Sequence, residues 1–164
     1  MASQPLLAVD IDGVISLFAS EDDPERPATP GRHEWLLIDG IPHCISLPAG
    51  ERLRRLSDSF ELFWASGWED RANDHLPNLL GLPQLPHLEL DTAPKAGGAH
   101  WKLAALERHV GDRPLAWIDD NLDESCFSWA DRRPFPTLLV PTDPHLGLEE
   151  GHVAALEAWA IDIR

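Results

Sequence analysis

The chain has 164 residues, 43% of them apolar, a length and composition suited to one domain with a substantial core. Thirteen basic residues against 28 acidic ones give a formal net charge of −15, which argues against an extended nucleic-acid footprint or an anionic membrane as partner. The N-terminus has no charged segment followed by a long apolar stretch, and no run of about 18 apolar residues occurs, so neither a signal peptide nor a membrane span is expected.

Leu6 to Val9 are consecutive apolar residues and read as a strand buried on both faces, ending in Asp10-Ile-Asp12 with Gly13 to turn the chain off the sheet. Ser20 to Arg32, rich in Asp, Glu and Pro, reads as an exposed loop. Glu34 to Ile38, Asp39-Gly40 and Ile41 to Leu47 spell a β-hairpin turning on Asp-Gly, with Pro42 predicting that the second arm is an edge. From Gly50 the spacing of Leu53, Leu56 and Phe60 predicts a short helix, and Glu61 to Ala65 a second buried strand that ends at Ser66-Gly67. Arg71 to Leu80 is predicted helical, broken or kinked at Pro77, and a brief strand is expected at Leu88 to Leu90.

Thr92 to Ala99 reads as a loop, after which Trp101, Leu103, Leu106 and Val110 share one face of a helix stopped by Gly111. Leu115 to Ile118 is a strand that runs into Asp119-Asp120-Asn121. Asp123 to Ala130 is a short helix, Thr137 to Val140 a last buried strand, and Val153, Leu156, Trp159 and Ala160 mark a terminal helix. Strands alternating with helices predict an α/β fold with a doubly wound, mostly parallel Rossmann-like sheet.

Three of these strands end in polar groups: Asp10 and Asp12, then Ser66, then Asp119 and Asp120. If the strands are parallel, all three ends fall on one edge of the sheet, the edge where open α/β sheets bind ligands. Carboxylates drawn together repel, and the usual resolution is a hard divalent cation, so a Mg²⁺ site is expected. The competing explanation, that Asp119-Asp120-Asn121 caps the helix starting near Asp123, accounts for one of these aspartates and not for two acidic pairs. Lys102, one of two lysines, lies in the opening turn of a helix, where the helix dipole disfavours a cation by roughly 0.3–1 kcal/mol. A phosphate to be bound is a natural reason for it. Lys95 in the preceding loop competes for that role.

The set Asp10-Ile-Asp12-Gly-Val14, Ser66-Gly67, Lys102 and Asp119-Asp120 resembles, in order and spacing, the four motifs of the haloacid dehalogenase (HAD) superfamily of phosphohydrolases, over Leu6 to about Thr142. That resemblance implies a phosphatase in which Asp10 is the nucleophile that forms an aspartyl-phosphate and Asp12 the general acid and base. Ser66, Gly67 and Lys102 would hold the phosphate, and Asp10, the Asp12 backbone carbonyl, Asp119 and Asp120 would hold Mg²⁺. An aspartate at position 12 resembles the family's phosphatases and mutases rather than its dehalogenases.

The intervals Leu17 to Phe60 and Gly67 to Trp101 are too short for a separate cap domain of the family's usual size, so a single domain over residues 1–164 is expected. A loop and β-hairpin insertion over about 17–50 would roof an otherwise open site as a flap. Phe63 to Glu69 together with Leu139 to Pro144 looks similar to a capless branch that includes domains fused to RNA-repair proteins, so the phosphorylated substrate is either a small molecule or a macromolecular end. Two other readings compete: a phosphoacceptor signalling domain, whose motif order differs, and a catalytically idle acidic scaffold. Two cysteines, Cys44 and Cys126, suggest no disulfide framework or paired-cysteine metal site, and a reduced, cytoplasmic setting is the simple expectation. Trp64 reads as core and Trp68 as either core or stacking platform, while the eight histidines, His100 included, show no zinc-site spacing.

Overall fold

The first strand, β1 (Leu6–Val9), is buried along its whole length, and the alternation of its side chains divides the interior into two cores. Leu7 and Val9 face one, Leu6 and Ala8 the other. In this computed structural model, which describes residues 3–18, 31–91 and 98–164, the remaining elements follow in order. They are β2 (Ser16–Leu17), β3 (His33–Ile38), β4 (Ile41–Ser46), α1 (Leu47–Leu56), β5 (Glu61–Trp64) and α2 (Ala72–Leu80), then α3 (Leu103–Val110), β6 (Leu115–Asp119), α4 (Glu124–Arg132), β7 (Thr137–Pro141) and α5 (Glu150–Asp162).

The protein is α/β. Four parallel strands in the order β5-β1-β6-β7 form the main sheet, with Val9 level with Trp64 on one side and Ile118 on the other. Leu53 and Leu56 of α1, Leu76 and Leu80 of α2 and Val153 and Leu156 of α5 cover one face; Leu106 and Val110 of α3 and Cys126 of α4 cover the other. Helices on both faces are what strands buried on both sides require, and the arrangement is compatible with the Rossmann-like class. From β1 the chain moves outward to β5, then returns past β1 to β6. The strand order therefore reverses between β1 and β6, and the crevice at their C-terminal ends is where such sheets take ligands.

The hairpin of β3 and β4 turns on Asp39 and Gly40, both at positive φ as a two-residue hairpin turn demands. It belongs to a three-stranded antiparallel sheet, β2-β4-β3. This corrects the expectation drawn from Pro42, because β4 is the central strand. Proline is accommodated because β2 pairs only with Cys44 and Ile45, so Pro42 lies where β4 has a partner on one side alone.

Other boundaries also move. Helix α1 begins at Leu47, with the Ser46 hydroxyl accepting from the Ala49 amide and Pro48 in the first turn, so the helix starts before Gly50, and Phe60 packs beyond its end. Pro77 lies inside α2 and does not end it. Leu88 to Leu90 is not a strand: a single parallel bridge joins Trp64 to His87 beside β5. The Trp101 ring, expected on the apolar face of α3, belongs instead to a 3₁₀ turn over Ala99–Lys102 and is half-buried at the strand ends. Strand β7, expected to be buried, is the half-buried edge. The loop expected over Ser20 to Arg32 and that over Thr92 to Ala99, with Lys95 in it, fall largely outside the described residues. Among the described residues no helix is long and apolar enough to cross a membrane.

Candidate active site

The ends of β1, β5 and β6 converge on one ammonium group. Lys102 comes from the 3₁₀ turn before α3 and its side chain is only 5% exposed. Its Nζ donates to the Ala65 carbonyl at 2.8 Å and to Asp119 Oδ2 at 2.7 Å, and lies 3.1 Å from Asp10 Oδ1. An ammonium has three protons, so each strand end receives one. Burial opposes this charge, yet Asp10 and Asp119 outweigh burial and hold Lys102 above its ordinary pKa.

Asp10 is in the opposite position. Burial pushes its carboxyl well above the usual carboxylate range, Lys102 pulls it back, and Asp119 and Asp120 push it further up. Asp120 is also raised, by burial and by Asp119, with its hydrogen bond to Asp10 and the charge of Lys102 working the other way. Carboxylate oxygens of Asp10, Asp119 and Asp120 lie within 4.8 Å of one another. A single ammonium does not neutralise three carboxylates, and a bound cation would offset the remaining charge.

The donors fit magnesium: all are oxygens, and Mg²⁺ needs one or two carboxylates completed by water and substrate. Gly13 makes room for this set. A Cβ there would stand 2.3 Å from Asp120 Oδ2, and the backbone is at φ +79, so a side chain at 13 is excluded twice over. Thr142, after β7, donates its hydroxyl to the Gly13 carbonyl at 2.9 Å and so ties this turn to the end of β7, across β6.

Asp12 is two residues from Asp10 and in a different environment. Its side chain is 47% exposed and does not belong to the three-carboxylate cluster. The Trp68 indole N–H donates to Asp12 Oδ2 at 3.1 Å, and His43 Nδ1 lies 3.9 Å from Oδ1. Ser66 is buried; its hydroxyl accepts from the Trp68 amide at 3.2 Å, which shapes the turn carrying Gly67 and Trp68. Asp10, Asp12, Ser66, Gly67, Lys102, Asp119 and Asp120 all line one open cleft of about 160 Å³, together with Trp101 and Asn121.

The roles of Trp68 and His43 were not legible from spacing. Trp68 is half-buried and packs against the core, as one of its two expected readings has it, and it is in addition a donor to Asp12; the signal available for that was its place directly after Ser66-Gly67. His43 reaches Asp12 from the flap, a contact that only the fold of the hairpin creates. Trp64 is fully buried, as its strand position predicts. His100 pairs with Asp123 at 2.6 Å and is not among the residues lining the cleft. The Cys126 thiol is pushed up to about 11 by burial, which leaves it without thiolate chemistry near neutral pH. A scan against family models finds none that matches this chain, and a search of curated proteins likewise returns no match.

Proposed function

We propose that this protein is a phosphomonoester hydrolase of the HAD type, working through an aspartyl-phosphate on Asp10. The observation that carries this reading is the placement of Asp10 and Asp119 on neighbouring strand ends at the sheet's switch point, with Lys102 Nζ 3.1 Å and 2.7 Å from them. Asp10 Oδ1 is the nucleophilic atom, fixed by a buried ammonium that also offsets charge as a phosphoryl group arrives. The Ser66–Gly67 turn holds the phosphoryl oxygens, and Lys102 faces them as a positive charge rather than as a free donor. Bound Mg²⁺ would supply charge neutralisation between the entering phosphoryl oxygens and Asp10, Asp119 and Asp120.

Asp12 stands on the open side of Asp10, partly exposed, where a leaving oxygen and then a water molecule have access. In the first step Asp10 attacks phosphorus, the ester P–O bond breaks with its electron pair on the leaving oxygen, and that oxygen takes a proton from Asp12. In the second step Asp12 takes a proton from water, which attacks phosphorus and releases phosphate, restoring both carboxyls. Two carboxylates two residues apart are thus divided by environment, one buried and paired with an ammonium, the other half-exposed and held by an indole N–H.

The test is phosphate release from a panel of phosphomonoesters with Mg²⁺ or EDTA. The expected result is metal-dependent turnover that falls by at least about 10³-fold in Asp10→Asn, a loss typical of removing a nucleophile. A circular dichroism spectrum of Asp10→Asn that matches the parent separates lost chemistry from lost fold. Folded protein that neither binds Mg²⁺ nor turns over any ester would leave an acidic scaffold as the better description.

A further inference from the structure

Asp12 and Gly67 border two cavities: the cleft over Asp10, and a second one of about 240 Å³ between the flap and the turn carrying Trp68. Ile38, Ile41 and His43 line the second cavity from the flap, and Trp68, Arg71 and His75 line it from the other side. We infer that this second cavity is the leaving-group subsite of the hydrolysis proposed above, a reading on which it rests. Its ligand is a phosphomonoester whose alcohol carries a single aromatic or heteroaromatic ring.

Position comes first. The phosphoryl group belongs over Asp10 and Lys102, and Asp12 must reach the oxygen that departs, so the alcohol leaves on the Asp12 side. Asp12 is the residue that opens into both cavities along with Gly67.

The chemistry of the walls then selects the alcohol. Three of their polar groups are already engaged: the Trp68 indole N–H with Asp12 at 3.1 Å, His43 Nδ1 with Ser16 Oγ at 3.0 Å, and Arg71 in an ion pair with Asp39, which also lines the cavity. A polyol entering here would lose its hydration and would have to compete with these existing pairs for its own. Apolar surface is what the cavity offers. Ile41 is 59% exposed, and His43 packs edge-on against the Trp68 ring with centroids 4.8 Å apart, so a flat ring would be received by aromatic and branched aliphatic groups. Size sets the upper limit: an apolar cavity of about 150 Å³ takes a benzene molecule, so this space suits one substituted ring and not several linked ones.

Two matched pairs of probes test the idea. Benzylphosphonate and methylphosphonate are not hydrolysed, and their affinities for the Mg²⁺-loaded protein are compared by calorimetry. Benzyl and ethyl phosphate have leaving alcohols of similar acidity and are compared by kcat/KM, with acetyl phosphate as a substrate that has little need of the cavity. The expected result is roughly tenfold tighter binding of benzylphosphonate than of methylphosphonate, a similar preference in kcat/KM, and a several-fold smaller gap in Ile41→Ser. Equal binding of the two phosphonates overturns the subsite, whatever the turnover. Selective binding of benzylphosphonate without hydrolysis of acetyl phosphate leaves the ring site standing and overturns the catalytic reading instead.

Discussion

The two sheets of this protein handle polar groups in opposite ways. In the parallel sheet, β1 and β6 are buried throughout, and the charges at their ends are locked together: Lys102 has an acceptor for every proton, and Asp10, Asp119 and Asp120 crowd within 4.8 Å. In the antiparallel flap sheet, β3 is exposed along most of its length, and its contribution to the site is a wall of side chains around a cavity. The difference teaches a division of labour. Reaction chemistry needs groups whose positions and charges are over-determined, whereas choice among leaving groups needs only a surface of suitable shape that can vary without unfolding the core.

The largest test of that contrast removes the central cation. Lys102→Met leaves two buried carboxylates facing each other unpaired, and breaking a buried pair from one side costs about 3–5 kcal/mol. Thermal unfolding should show a melting temperature lower by roughly 10 °C, along with lost turnover. A variant that melts like the parent would mean that the strand ends do not depend on this ammonium.

Next in size is the linkage between metal and pH. Asp10 and Asp120 have raised pKa values in the fold, so they retain protons that the unfolded chain releases in the ordinary carboxylate range. Folding is therefore favoured below that range and weakened as pH rises through the raised values. Metal-free protein should lose stability across that window, and the gain in melting temperature on adding Mg²⁺ should grow as pH rises. A gain independent of pH would detach the cation from these two carboxyls.

Trp68→Phe sharpens the boundary between the regions, since it keeps a ring at the cavity and deletes the donor to Asp12. Loss of one hydrogen bond to a carboxylate should lower kcat by about tenfold while KM for a ring-bearing ester changes little; a purely structural role would not separate the two constants. The smallest effect belongs to the outer face of the flap. Leu37 is 74% exposed, and Leu37→Ser should change unfolding free energy by no more than about 0.5 kcal/mol in a denaturant titration.

Much of this architecture is legible in the sequence. An uninterrupted apolar run such as Leu6 to Val9 has few places to go other than the middle of a parallel sheet, and alternation of strands and helices then sets the layers. Where the reading slipped, the cause was context. Pro42 forbids a ladder bond at one residue but says nothing of where β4 stands in its sheet, and a two-residue strand such as β2 has too little pattern to be seen. Pro77 predicts a break or a kink, and α2 runs through it without a break, with Leu76 and Leu80 buried on either side, since packing outweighs the missing amide.

By itself the sequence determined the strands that end in Asp10, Ser66 and Asp119 and the doubly wound class, because those depend on local periodicity and on the short reach of turns. Only the tertiary structure decided that Lys102 bridges three strand ends, that Asp12 is held by Trp68, and that the flap encloses a second cavity. Lys102 and Asp119 are 17 residues apart, and Trp68 and Asp12 are 56 apart. Contacts across such separations are set by how elements pack, a property of the whole chain that no local pattern encodes.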